Sequence, residues 1–330
     1  MLYLSYADTQ RLDIRMTDVV PAIEDAFRRV GNGQAVVAPR LRMLHPPLEK
    51  NSTGQGRPWV RDLRIIPGAI EELGYGVRLG ASLRRQGGGV MLVLFDWNTM
   101  ELKALISDHL VHAVRSTAPC GVMAKYLALP NASTLALIGS GRLARWAAEA
   151  VCAVRSIRDL RSWIPTPAHR REIVANLKTR LGNGVNVREV GNSEEAIRGA
   201  EIVTTGTKAL APVMKGKWIS PGCTILANSP EEIDQATYLK SKIITTYNDG
   251  ILTHVPPYQD LVALVQSGKM TEADLSTELA DLVIGRAKGR TGVDEIWIGM
   301  NPAYGILDVA TAAWVYERAK KLGVGTELEA

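Results

Sequence analysis

The apolar run Thr134-Leu135-Ala136-Leu137-Ile138 leads into Gly139-Ser140-Gly141-Arg142-Leu143-Ala144, a stretch whose residue types and spacing can do chemistry. In such a turn the first glycine permits a tight bend and the second lets backbone approach a pyrophosphate. The alanine lets the next helix pack closely, so that its amides and dipole face the anion. A glycine-rich turn in an α/β fold without nucleotide has the same letters. Strand before, helix after and further strand–helix units behind favour the dinucleotide reading, which makes Gly139, Ser140, Gly141, Arg142 and Leu143 cofactor contacts. An acid for the adenosine ribose is expected at the end of the next strand, but that strand ends Trp163-Ile164-Pro165-Thr166. Asp159 stands at its beginning. Thr166, His169 and Arg170 could take a 2′-phosphate instead, and solvated helix charges read the last two equally well. The cofactor expectation is therefore NAD or NADP.

Other reactive residue types are sparse. Cys120, Cys152 and Cys223 are widely spaced with no Cys-x-x-Cys, so neither a disulfide framework nor a zinc site is expected, and a reducing cytoplasm fits. His45 and His112 carry imidazoles that titrate near neutrality, with a satisfied structural histidine as the plainer reading of each. His112 lies three residues before Arg115 and shares a helical face with it.

The elements that must hold these residues fall into two textures. Val19, Val20, Ile23, Ala26, Phe27 and Val30 recur at helical spacing and stop at Gly31-Asn32-Gly33. Residues 34 to 119 turn strand-like, with Val90 to Phe95 and Leu102 to Ile106 expected as a hairpin. The polar loops around 50–58 and 86–89 could close over a ligand or simply be surface. A helix is expected over 113–129. Short apolar strands then alternate with helices: strands at 134–138, 159–164, 185–190, 202–205, 224–227 and 242–246, and helices at 144–154, 169–181 and 193–200. A last helix covers 307–321. The 330 residues are 46% hydrophobic and 22% charged, with 39 Lys+Arg against 34 Asp+Glu for a net +5 and no long run of like charge. These values describe a globular chain and give no support to nucleic-acid binding. No stretch reads as a leader or a membrane span.

Several local matches together make the chain similar to the ornithine cyclodeaminase/mu-crystallin family over nearly its whole length. They are Ala38-Pro39-Arg40, Arg115-Ser116-Thr117-Ala118, Thr204-Thr205-Gly206-Thr207 with Pro212, Lys217-Trp218-Ile219-Ser220-Pro221-Gly222, and Gly305-Ile306-Leu307-Asp308. The resemblance implies an α/β architecture in which a Rossmann-type dinucleotide-binding domain, 120–300, is inserted into an α+β substrate-binding and dimerisation domain, 1–119 completed by 301–330. It implies a homodimer. It also implies cofactor contacts from Thr205, Gly206, Thr207 and Asn228, and a substrate carboxylate held by Arg40 and Arg115, whose guanidinium forks suit that role. A surface or interdomain salt bridge is the alternative for each arginine.

Two departures from the family pattern bear on mechanism. Gly76-Val77-Arg78 places arginine where the family has lysine, which keeps anion binding and removes a group able to lose its proton. Three arginines in one pocket favour an anionic substrate, with a second acidic group as one possibility, whereas a strand residue facing solvent is the other reading of Arg78. Asn228 stands where cyclodeaminases carry an aspartate, so it can orient an amine or water but cannot take a proton. Glu231, Glu232 and Asp234 follow it and read as a solvated helix start. Asp308 is the other candidate carboxylate, with helix capping as its plainer role.

The resemblance implies an NAD(P)-dependent oxidoreductase acting on a C–N bond, with a small anionic amino acid, imine or keto acid as substrate. In it, Arg78, Asn228 and Asp308 are the candidate catalytic residues, and no metal is called for. Two rivals stand beside it. One is a cyclodeaminase that recycles NAD internally, with Glu231 or Asp308 as base. The other is a crystallin-like binding protein with little catalysis.

Overall fold

The structure, a computed structural model, describes residues 1–45, 61–83, 90–139, 142–165, 167–207, 209, 211–228, 230–248, 251, 258–302 and 304–329. Its contacts divide the chain into two units, Met1–Ile14 with Asn32–Arg115 and Tyr304–Ala330, and Arg15–Gly31 with Ser116–Ala303. The polar loops 50–58 and 86–89 lie outside the described residues.

Unit 1 is built by residues that alternate in polarity along extended chain. Its strands are β1 (Leu2–Leu4), β2 (Ala35–Val37), β3 (Leu41–His45), β4 (Arg61–Ile70), β5 (Gly74–Leu83), β6 (Val90–Phe95), β7 (Leu102–Ser107) and β15 (Thr326–Glu327). Among the described residues the sheet order is β15-β1-β7-β6-β5-β4-β2, with β3 also paired to β4. The β6–β7 hairpin expected from the sequence is present and antiparallel. On one face Ile66, Leu92, Leu94, Ala104 and Ile106 are buried. The helix α10 (Gly305–Leu322) lies on that face; the backbone of Gly305 comes so close to Pro67 and Gly68 that a Cβ on Gly305 would meet the Pro67 carbonyl. Eleven of its residues are buried, so it lacks the one-sided pattern of a surface helix. Gly323 ends it in the left-handed conformation.

Unit 2 follows the strand–helix alternation. Its strands are β8 (Thr134–Ile138), β9 (Asp159–Trp163), β10 (Asn186–Glu189), β11 (Ile202–Thr205), β12 (Thr224–Ala227), β13 (Lys242–Thr245) and β14 (Trp297–Met300). All pairings are parallel, in the order β10-β9-β8-β11-β12-β14-β13. The short strands β8, β11, β12 and β14 are buried almost throughout, as a sheet covered on both faces requires. The helices α4 (Arg142–Cys152), α5 (Pro167–Leu181) and α6 (Ser193–Ile197) connect them. Sequence reading missed β14, a four-residue strand interrupted by Gly299, which sits between β12 and β13 although some fifty residues of other structure separate it from β13.

Two boundaries differ from expectation. The helix α2 (Met16–Gly31) groups with unit 2, because its buried face of Val19, Val20, Ile23, Ala26 and Phe27 packs on helices 279–283 and 142–152. The helix α3 (Asp108–Leu127) begins five residues before the expected Ala113, which brings Asp108 into its first turn. Among the described residues no helix is long and apolar enough to cross a membrane.

Candidate functional site

In unit 2 the chain leaves β8 at Gly139 with φ +112°, a conformation that side-chain-bearing residues rarely adopt. Its N–H donates to the Trp163 carbonyl at the end of β9, 2.9 Å away. A Cβ on Gly139 would lie 2.6 Å from the Gly206 carbonyl oxygen, and one on Gly206 would lie 2.9 Å from the Ala144 Cα. Gly139, Gly206 and Ala144 thus let the turn, the end of β11 and the start of α4 come together. This is the close packing that the Gly-x-Gly-x-x-Ala spacing is made for. Leu143 is half-buried on α4. Ser140, Gly141 and Thr166 lie outside the described residues, as do the side chains of Arg142, His169 and Arg170.

Beside this turn a carboxylate is buried without exposure to water. Glu232 accepts hydrogen bonds from Thr205 Oγ1 (2.5 Å), the Thr207 N–H (2.8 Å) and Thr207 Oγ1 (2.8 Å). Three donors satisfy it, which is what burying a carboxylate demands. The reading of Glu232 as a solvated helix start is therefore corrected. Asp234 caps the helix α7 (Gln235–Leu239), accepting from the Thr237 N–H. Asn228 Nδ2 donates to the Thr205 carbonyl (2.6 Å), its N–H donates to Thr205 Oγ1, and its Oδ1 accepts from Cys120 Sγ. Burial pushes the Cys120 thiol up to about 12, so it is a weak donor and no nucleophile. Asp159 pairs with Arg161 and Arg188 at the start of β9, away from the strand end where a ribose acid would stand.

In unit 1 the sequence-distant candidates converge. Arg78, on β5, is 2% exposed, and its Nε donates to Asp108 Oδ2 at 2.5 Å; it lies 3.9 Å from Asp308 Oδ1. The solvent-facing reading of Arg78 is thereby excluded. Arg115 Nε stands 2.9 Å from the same Asp308 oxygen. Asp108 and Arg115 are seven residues apart on α3 and so share a helical face, and Asp308 comes from the first turn of α10. His112 is half-buried between the two α3 residues.

A second layer of charge lies along β3 and β4. Arg42 Nε and Nη2 grip Asp62 at 2.9 and 2.7 Å, and Arg64 Nε is 3.4 Å from Asp62 Oδ2. In register, Arg42 faces Arg64, Arg64 faces Gly80, and Ile66 faces Arg78, so these residues share one side of the sheet. Arg40, half-buried just before β3, is lowered to about 10 by burial and then by the charges of Arg115 and Arg42. Burial and then Arg78 also lower Arg64. Asp308, 1% exposed, is raised to about 6 because burial outweighs its neighbours Arg115 and Arg78, and Asp108 adds to the rise. Neither Asp308 oxygen makes a hydrogen bond in the structure. A buried carboxyl that titrates near neutrality beside guanidinium groups can bind an anion's neighbour and can hold or release a proton.

The structure thus brings Arg40, Arg78, Arg115 and Asp308 into one cluster in unit 1, and Gly139, Thr205, Gly206, Thr207 and Asn228 into one in unit 2. Sequence reading missed Asp108, Arg42, Arg64 and Asp62. Alternation of charged with apolar residues along Leu41 to Leu44 and Asp62 to Ile66 was the available signal for the last three. Among the described residues no group of acids, histidines and cysteines could hold a metal ion.

Residues 4–323 match the model of the ornithine cyclodeaminase/mu-crystallin family. A putative dehydrogenase of Rhizobium meliloti (strain 1021) is 30% identical over 94% of this chain and 94% of its own. A Delta(1)-pyrroline-2-carboxylate reductase of Bacillus cereus is 28% identical over the full length of both chains. Among solved structures, the Thermococcus litoralis Delta(1)-pyrroline-2-carboxylate reductase in complex with NADH and L-proline superposes with a TM-score of 0.87 at 28% identity, over 99% of this chain and 100% of that one. With the parallel sheet, the Gly139 turn and the whole-length match in hand, this chain belongs to the ornithine cyclodeaminase/mu-crystallin family.

Proposed function

We propose that this chain is an NAD(P)-dependent oxidoreductase acting on the C–N bond of a small amino acid or imine. The observation that carries the redox half is the turn at Gly139, where a Cβ would strike Gly206 and where Gly206 in turn admits Ala144. These residues fit a dinucleotide: a glycine turn between an apolar strand and a helix start is the arrangement that takes a pyrophosphate. Gly139, Ser140, Gly141, Arg142 and Leu143 would hold it, together with Gly206 and Thr207. Thr166 and Arg170 would take the 2′-phosphate if the cofactor is NADP. When bound, the nicotinamide ring supplies or accepts hydride at the carbon of the C–N bond.

The substrate half falls to unit 1. Arg40, Arg78 and Arg115 hold the α-carboxylate, each as a permanently charged fork. Asp308, titrating near 6, exchanges a proton with the substrate nitrogen or a water beside it. Arg78 offers no proton to transfer, and its role is electrostatic. Asn228 acts as a positioning residue: it ties the end of β11 to Cys120 and so fixes Thr205 and Gly206.

The chain works as a homodimer in this reading. The outward face of β2 to β5 exposes Val36, Leu41, Met43, Leu63 and Leu79, an apolar patch of the kind that associating proteins cover. Sedimentation of the purified chain at twice the monomer mass is the expected result. Free thiols at Cys120, Cys152 and Cys223 fit a reducing cytoplasm.

The test is a turnover screen of purified protein with NAD, NADP and their reduced forms against amino acids and cyclic imines, with ammonia measured in parallel. Net oxidation or reduction of nucleotide is expected. Ammonia release without net nucleotide turnover contradicts the proposal in favour of cyclodeamination, and bound nucleotide without either signal contradicts it in favour of a binding protein.

A further inference from the structure

Two buried carboxyls compete for one guanidinium in unit 1. Arg78 Nε stands 2.5 Å from Asp108 Oδ2 and 3.9 Å from Asp308 Oδ1, and none of the three residues is more than 2% exposed. Among the described residues Asp108 is the one hydrogen-bond partner of the Arg78 side chain, and Arg78 is the one partner of the Asp108 side chain. Neither Asp308 oxygen makes a hydrogen bond. A hydrogen bond from a guanidinium needs an approach of roughly 2.9 Å, so Arg78 is given to one carboxyl and withheld from the other by about 1 Å.

The elements account for this asymmetry. Asp108 opens α3 and meets the guanidinium side-on at Nε, whereas Asp308 lies in the first turn of α10 with Arg115 Nε 2.9 Å from its Oδ1. The outer end of the Arg78 fork lies over Gly80. A Cβ at that position would come 3.3 Å from Nη1, and glycine keeps the end clear. When two carboxyls face one cation, the one without it is pushed toward its protonated form. Burial raises Asp308 to about 6 against the pull of Arg115 and Arg78, and Asp108 adds to the rise. The charged groups facing Asp308 are Arg78 from β5, Arg115 and Asp108 from α3, and Arg40 from just before β3. On β4, Arg64 lies beside Arg78 and Asp62 is held by Arg42; β2 and β6, which also pack on α10, carry no titratable side chain.

We infer that Asp108 is a positioning residue of this site: it holds Arg78 by Nε and keeps the guanidinium off Asp308, which leaves the Arg78 Nη atoms to a substrate carboxylate and the Asp308 carboxyl to a proton. The inference rests on the substrate role of Arg78 proposed above. Without the Asp108 carboxylate the guanidinium moves the remaining distance onto Asp308, and one buried ion pair ties up both groups.

Asp108→Asn removes the charge at nearly constant shape, and its effects are read without nucleotide. Carboxyl carbon-13 resonances of the purified chain, with Asp308 assigned through Asp308→Asn, are expected to place the Asp308 midpoint near 6 in the wild type and about one pH unit or more lower in Asp108→Asn. Calorimetry with propionate, an unreactive monocarboxylate, is expected to show binding weaker by about tenfold or more in Asp108→Asn at neutral pH. Most of that loss should be recovered when Asp108→Asn is combined with Asp308→Asn, because the guanidinium then has no carboxylate there to collapse onto. General damage to the fold would not be relieved by a second substitution. If Asp108→Asn does not fold, the Arg78 Nε–H resonance decides: it is expected to stay slow to exchange in Asp308→Asn, and its loss there shows that Asp308 holds the guanidinium and overturns the inference. An unchanged Asp308 midpoint, an unchanged propionate affinity, or a loss that Asp308→Asn does not relieve each overturns it as well. Propionate binding by the wild type reports on the carboxylate role proposed above, and the Asp108→Asn differences report on Asp108, so either can fail alone.

Discussion

In unit 2 the chemistry-bearing turn exists because Gly139, Gly206 and Ala144 let three stretches of backbone approach, and the nearby carboxylate of Glu232 is answered by neutral donors. In unit 1 Arg78, Asp108, Arg115 and Asp308 bring four ionisable groups into a space nearly closed to water, each within reach of an opposite charge. In the first arrangement the buried carboxylate is satisfied by the threonine donors around it. The second holds opposed charges out of water and a carboxyl displaced toward neutrality, which is the usual mark of a reacting centre. One region is held together by close backbone packing and neutral donors, the other by buried charge.

That contrast can be broken at its strongest point first. Gly139→Val places a branched side chain where φ is +112° and where even a Cβ meets the Gly206 carbonyl, so nucleotide binding should be lost by more than about a hundredfold, equivalent to about 3 kcal/mol or more. Calorimetric titration with NAD and NADP measures it, and retention of wild-type affinity would show that the turn is not the nucleotide site.

Arg115→Ala tests the other region and has the next largest effect. It removes the guanidinium nearest Asp308 from a buried charge cluster, which costs about 2–5 kcal/mol, or roughly thirty- to several-thousand-fold in kcat/KM. Substrate saturation should disappear while nucleotide affinity stays within about threefold. Unchanged kinetics would remove the carboxylate-binding role.

Asp308→Asn sharpens the proton-transfer half. The carboxyl titrates near 6 in the fold against an ordinary 3.8, so between those values the folded chain holds a proton that the unfolded chain has released. Its contribution to stability is complete below about pH 4 and is lost as pH rises through 6. Urea unfolding of the wild type relative to Asp308→Asn should therefore weaken by on the order of 2–3 kcal/mol across that window. The activity profile of the wild type should bend near pH 6, and that bend should vanish in the variant. Parallel pH profiles for the two proteins would show that Asp308 does not titrate there.

Glu232→Gln is the smallest of these changes. It keeps one oxygen acceptor and sets an amide against threonine donors, a cost of about 1–3 kcal/mol that should lower the thermal midpoint by a few degrees. Redox turnover should persist, because Glu232 supports the Thr205 to Thr207 segment and touches no reacting atom. Abolished turnover in a folded Glu232→Gln protein would move Glu232 into the chemistry and undo the contrast.

What could be read from the sequence follows the same line. The turn of unit 2 was legible because its requirements are local: Gly139, Gly141 and Ala144 lie within six residues, between an apolar strand and a helix. The strands at 134–138, 202–205 and 224–227 were legible because buried parallel strands are short continuous apolar runs. The strand β14 was not, since Gly299 interrupts its apolar run and its partners are fixed only by the assembled sheet. In unit 1 the arginines Arg40, Arg78 and Arg115 were reachable by family resemblance, while Arg42 and Arg64 required knowing that β3, β4 and β5 pair in one register. Asp108 stayed hidden because α3 starts before the apolar spacing that marks it. Glu232 was misread because an acid after a proline has a solvated look until Thr205 and Thr207, some twenty-five residues earlier, are brought against it.

A single-turnover experiment tests the central claim most directly. Purified chain is mixed with one equivalent of reduced nicotinamide nucleotide and excess imino acid, and nucleotide oxidation and amino acid formation are followed together. The account predicts one equivalent of amino acid for each equivalent of nucleotide oxidised, with the bound nucleotide's absorbance falling in a single phase. Tight binding of both ligands with the nucleotide remaining reduced would contradict it.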